Sequence, residues 1–201
     1  MTDARLTALD AELAIVFPGT WAIIPLHDQE AARRRVARLV TERVGRADRL
    51  ARTRRTVRDE LDTVVSLAIA SDAFALALSM EILPGVPFPA SIVMARESWP
   101  AGAEGTKAER LAVAFPAAES LELSFGPARR SSSVRQTRYD EQSAPELLAD
   151  YRFAAPDESC VIHVRVNAPM AVEPELYLEL FDAIVDSISF RRPLEPSAES
   201  R

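Results

Sequence analysis

From residue 160 to 190 the chain runs CVIHVRVNAPMAVEPELYLELFDAIVDSISF. Its first part alternates: Cys160, Ile162, Val164 and Val166 fall on one face, and Val161, His163, Arg165 and Asn167 on the other, which predicts a strand over 159–167. Pro174 then stands where a first helical turn tolerates proline, and Leu176, Leu180, Phe181, Ile184, Val185 and Ile188 recur at helical spacing. The pattern predicts a closing amphipathic helix.

The same reading extends upstream. Residues 15–26 (IVFPGTWAIIPL) are apolar around Pro18-Gly19, predicting two short extended pieces joined by a turn, with Pro25 placing the second at a sheet edge. From Asp28 the period changes to that of a helix: Val36, Leu39, Val40 and Val44, then, past Gly45, Leu50, Val57, Leu61, Val64, Val65 and Ala68. This predicts two helices, or one long helix weakened at Gly45. Phe74, Leu76, Leu78, Met80 and Ile82 alternate with small or polar residues and predict a strand with one large apolar face. Residues 83–90 hold three prolines and predict a loop, followed by strands over 91–97, 110–115, 120–125 and 132–138, with 101–106 as a loop. Leu148 to Phe153 pairs with the closing strand through a turn at Pro156-Asp157-Glu158. Residues 191–201, with two prolines and several charges, read as a disordered tail, which leaves one domain over 1–190.

Strands that follow one another through short connections pair antiparallel. The fold class is therefore α+β: a mainly antiparallel sheet with two N-terminal helices and a C-terminal helix packed on it. Two stretches, Trp21 to Leu26 before a helix and VIHVRVNAP followed by LYLELFDAIVDSISF, resemble the Mog/PsbP-like fold, which the bacterial LpqN lipoproteins share. The resemblance implies a binding, assembly or accessory role with no shared catalytic residues to carry over. A cytoplasmic accessory of a bacterial secretion or envelope system is one such context. The chain departs from the lipoprotein branch in lacking a lipobox cysteine.

Composition narrows the classes. With 201 residues, 48% of them hydrophobic, the chain is long enough for a sizeable core. Its net charge of -6 opposes any overall attraction to nucleic acid or anionic lipid. The start MTDARLTALDAEL has neither the basic nor the apolar region of a signal peptide, and no apolar run approaches the ~20 residues of a membrane span, so the cytoplasm is the expected address. Arginine accounts for 23 of the 24 basic residues, which makes arginine preference alone weak evidence for a phosphate site.

One segment breaks the average. Residues 33–58 hold eleven arginines against Glu42 and Asp48, a surplus of nine positive charges, so the remainder of the chain carries a net -15. Three readings stay open: a solvated or internally paired helix face, a dock for an acidic protein, or a phosphate-binding stripe. No aromatic residue interleaves the segment to stack bases, which weakens the last. Asp59, Glu60 and Asp62 stand at helical spacing to neutralise Arg55 and Arg58.

Catalytic patterns are missing. Residues three apart on a strand face opposite ways, so Cys160 and His163 form no dyad; Cys160 is expected inward and His163 outward. Two histidines and one cysteine lack zinc-ligand spacing, GAEGTK at 102–107 lacks the phosphate-loop pattern, and no GxSxG elbow exists. No cofactor is expected. The sequence thus predicts a non-enzymatic module that binds a protein partner, acidic in one version, or a second copy of itself. The alternative is a nucleic-acid-associated protein working through helices 33–58. Candidate contact residues are Arg34, Arg38, Arg52 and Arg55 together with Trp21, Phe88 and Trp99, three aromatics beside prolines in edge or loop positions.

Overall fold

The computed structural model describes residues 4–9, 13–139 and 142–190; the tail reading for 191–201 lies outside them. Strands β1 (Ala4–Ala8) and β2 (Leu13–Pro18) form a small antiparallel sheet that β11 (Ser189–Phe190) completes. At Gly19 the chain leaves this sheet for a larger one and begins β3 (Thr20–Pro25). Gly19 has φ +74°, and a Cβ there would lie 2.1 Å from the Glu81 carbonyl oxygen, so only glycine fits this crossing.

The predicted helical stretch is two helices. Asp28 caps α1 (Gln29–Val44) by accepting from the Glu30 and Ala31 amides at 2.9 and 3.0 Å. Gly45, at φ +95°, ends it with its N–H on the Thr41 carbonyl. After a 3-10 turn at Asp48–Leu50 comes α2 (Ala51–Ala70). Arg54 donates to the carbonyls of Gly45 and Ala47, tying α2 to the junction.

The long meander follows: β4 (Ala73–Leu83), β5 (Val86–Pro87), β6 (Ser91–Glu97), α3 (Lys107–Ala114), β7 (Glu119–Leu123), β8 (Gly126–Tyr139), β9 (Gln142–Ala154), β10 (Val161–Ala168) and α4 (Pro174–Asp186). The large sheet runs β3-β4-β6-β10-β9-β8-β7, with β5 on β4, and every pairing is antiparallel. The α+β class and its antiparallel sheet stand as read. Among the described residues no helix is long and apolar enough to cross a membrane.

Three expectations change. Residues 110–115 are helical because Thr106 and Glu109 make a capping box, and α3 buries a single residue, Leu111, so strand-like alternation carried no weight there. Leu176 belongs to the apolar pattern of α4 but stays exposed in its first turn. In β4 the small residues Ala75 and Ala77 are buried as deeply as Leu76, since the strand is covered on both faces.

Two cores result. One face of the large sheet packs against β2 and α4 through Phe17, Met94, Tyr151, Phe153, Phe181 and Val185. The other packs against α1 and α2 through Ile24, Val36, Val40, Val65, Leu76 and Ala95. Burying each of the Val, Leu, Ile, Met and Phe side chains among these contributes about 1.5–3 kcal/mol. The α1–α2 layer lies against β3 and β4. On that same face β10, β9 and β8 carry a field of polar side chains.

Candidate functional site

The polar field follows from strand register. His163 of β10 stands between Ala95 of β6 and Arg152 of β9, and Arg165 stands between Val93 and Asp150. Alternation puts all of them, with Glu97, on the helix-bearing face, while Ile162, Val164 and Val166 enter the opposite core. Cys160 is half-buried against that opposite core, so it and His163 do face apart.

His163 is nevertheless not the outward residue that alternation suggests. It is only 8% exposed. Its Nδ1 lies 2.6 Å from Glu97 Oε1 and its Nε2 lies 2.6 Å from Asp150 Oδ1, so side chains from both neighbouring strands fold across the ring. Carboxylates only accept, so each nitrogen that bonds here does so as a donor. The two carboxylates sit on opposite sides of the ring and converge on no common point. Burial works against the charge of Asp150, but hydrogen bonds from His163 and Arg165 outweigh it and hold the carboxyl well below its ordinary range.

Arg165 reaches Asp150 through Nε at 2.7 Å and is 58% exposed, while Arg152 reaches Glu97 through Nε at 3.4 Å and lies over the Phe115 ring. Farther along the face, Glu146 is buried and accepts from Arg135 Nε (2.6 Å), Thr137 Oγ1 (2.6 Å) and Asn167 Nδ2 (2.7 Å). The Arg135 bond leads in bringing its pKa down to about 2, with burial opposing.

A groove of about 410 Å³ borders this field. Val64, Leu67 and Ala68 of α2 and its C-cap Ser71 form one wall, Val93 and Ala95 the floor, and Glu97, Arg152, His163 and Arg165 the other wall. Ser71 Oγ donates to the Leu67 carbonyl, so the groove's one hydroxyl is engaged away from His163. No nucleophile and base are brought together here.

The arginine layer lies beyond the groove. Arg34 pairs with Glu30 at 3.3 Å, Arg43 with Glu81 at 3.3 Å, and Arg35 donates to the Ile23 carbonyl. Among the described residues Arg33, Arg38, Arg46, Arg49, Arg52, Arg55 and Arg58 make no hydrogen bond or ion pair. The expected neutralisation of Arg55 and Arg58 by the neighbouring acids does not form: Thr63 and Ser66 donate to the Asp59 and Asp62 carbonyls, and the carboxylates reach no arginine. Under the first half of α2 a mostly apolar cleft of about 330 Å³, lined by Val44, Val57, Leu61 and Met80, separates it from the sheet.

The three candidate aromatics are occupied internally. Trp21 stacks on Phe17 at 4.6 Å and its Nε1 donates to the Pro18 carbonyl. Phe88 is buried against Tyr177 and Phe181, because the proline-rich loop folds back under α4. Trp99 donates to the Glu158 carbonyl, and the Arg110 guanidinium lies 3.8 Å above its ring. Phe88 is buried, while Trp21 and Trp99 are half-buried. The arginines Arg38, Arg52 and Arg55 are exposed and uncommitted. Comparison with known proteins adds no family: no family model matches the chain, and no curated protein matches it.

Proposed function

We propose that the chain is a non-enzymatic binding module whose α1–α2 layer docks on an acidic protein surface. One observation carries this reading. α2 buries only Val65 and Ala68 along 20 residues, yet its outer face and the adjoining turn bear arginines with no internal carboxylate. A cation held near the surface without a partner costs little in water and gains from an opposing charge, so such a layer favours association and steers it. An accessory or assembly role, of the kind the Mog/PsbP-like resemblance implies, fits a module of this sort.

The test compares the chain with an Arg38→Glu, Arg52→Glu, Arg55→Glu, Arg58→Glu variant as bait, followed by direct titration of the recovered partner. The reading expects an acidic partner whose affinity falls about tenfold or more in the variant and declines as salt rises. Equal binding by both baits overturns it, as does a chain that recovers nothing and stays monomeric. Preferential binding of a duplex oligonucleotide, with a steep salt slope, transfers the layer to nucleic acid instead.

A further inference from the structure

The groove between α2 and the polar field borders the α1–α2 core, whose Ala68 and Ala95 line it, and plays no part in the arginine layer. Its two walls differ in kind. Leu67 is 65% exposed and Val64 40% exposed, side by side on the last turns of α2. A bare leucine and valine facing a shallow floor of Val93 and Ala95 leave apolar surface in water that a chain of methylenes would cover. Across from them stand two guanidinium groups, each anchored through Nε alone. The terminal nitrogens of Arg165 and Arg152 bond no other described residue, so both arginines are held in place with donors unspent.

The acids of the groove do not compete for the same role. Asp150 accepts from Arg165 and Glu97 from Arg152, and each also lies 2.6 Å from one nitrogen of His163. Each carboxylate is thus spent on one guanidinium Nε, and the terminal donors left over point to an anion. We propose that the groove binds an amphipathic anion, an alkyl chain with a carboxylate or phosphate head, its head on Arg165 and its tail along Val64, Leu67 and Val93.

Position along the groove selects Arg165 over Arg152 for the head. Ser71 is the C-cap of α2 and lies two residues before Ala73, which pairs with Ala95, the neighbour of His163. The carbonyl end of a helix carries partial negative charge and repels an anion. Arg165 stands opposite Val93, one strand repeat away from that end. The volume of about 410 Å³ falls within the roughly 300–1,000 Å³ of small-molecule sites.

The experiment is calorimetric titration of the full chain with octanoate, octyl phosphate, octyl glucoside and inorganic phosphate, each below its micellar range. One or both octyl anions should bind at one site, and which of them does distinguishes a carboxylate from a phosphate head. Octyl glucoside, lacking charge, should bind about tenfold more weakly or worse. Arg165→Gln should weaken the anion about tenfold while the thermal melt shows the chain still folded, and Leu67→Ser should weaken it several-fold, about threefold or more. The proposal is overturned if neither octyl anion binds, or if both variants bind as the parent does. Inorganic phosphate binding as tightly as octyl phosphate removes the apolar wall from the site and also overturns it. So does a dimer of the chain that Leu67→Ser abolishes, since the wall would then be a protein interface. None of these results bears on the arginine layer, whose variants lie on α1 and on the other half of α2.

Discussion

α4 has 13 residues and buries Phe181, Ile184 and Val185, whereas α2 has 20 and buries only Val65 and Ala68. α4 is fastened as well as packed: Asp182 accepts from the Tyr151 hydroxyl at 2.7 Å and from Arg130, and Asp186 accepts from the Ser124 amide at 2.5 Å. α2 rests mainly on α1 and touches the sheet near its C-terminal end at β4, with the apolar cleft beneath its first half. The contrast separates two uses of a helix on one sheet. A helix that seals a core spends its side chains inward, while one held by a few contacts keeps most of its surface for the solvent or a partner.

Substitutions can break this contrast. The largest effect is expected from Phe181→Ala, which empties a fully buried site beside Phe88 and should cost about 3–5 kcal/mol in urea unfolding. Val65→Ala, the deepest truncation available on α2, should cost about 1–2 kcal/mol. Equal losses at the two positions would mean that α2 is as integral as α4.

Acid tests the polar half of the sheet. The Glu146 carboxyl, brought from 4.5 to about 2, stays ionised in the folded chain where the unfolded chain takes up a proton. Its contribution is complete above about pH 5 and drains as pH falls from 4.5 toward 2. Asp150 acts in the same direction. Glu146→Gln should lose about 1–2 kcal/mol at neutral pH and show a flatter decline in acid, read from urea midpoints across pH 2–6. An unchanged decline would remove Glu146 from this role. The smallest effect belongs to the outer face of the α1–α2 layer: the four-arginine charge reversal should shift stability by no more than about 0.5 kcal/mol.

Much of this division was legible in the residues. The alternation of VIHVRV and the stripe of Phe181, Ile184 and Val185 identified the sealed face, because each residue there answers to its own period. The residues left one helix or two open, and the positive φ of Gly45 decides for two. Local pattern failed where burial is decided by distant chain. His163 is covered by Glu97 and Asp150 from two other strands, and nothing in VIHVR announces them. Phe88 looked like an exposed loop aromatic until α4, more than eighty residues later, supplied Tyr177 and Phe181. β1 pairs with β2, whose other partner is β11 at the far end of the described chain, so its place was not readable from the N-terminal segment. α3 differs: its helix signal, the Thr106 and Glu109 capping box, is local and present in the sequence ahead of residues 110–115.

The division between the two helices is most directly measured by native-state hydrogen exchange of the free chain at increasing sub-denaturing urea. Amides of α4 should exchange only through global unfolding, while those of 51–62 in α2 should exchange through a local opening that urea scarcely affects and that lies several kcal/mol, about 2 or more, below the global value. Protection of α2 that matches α4 and shares its urea dependence would contradict the account.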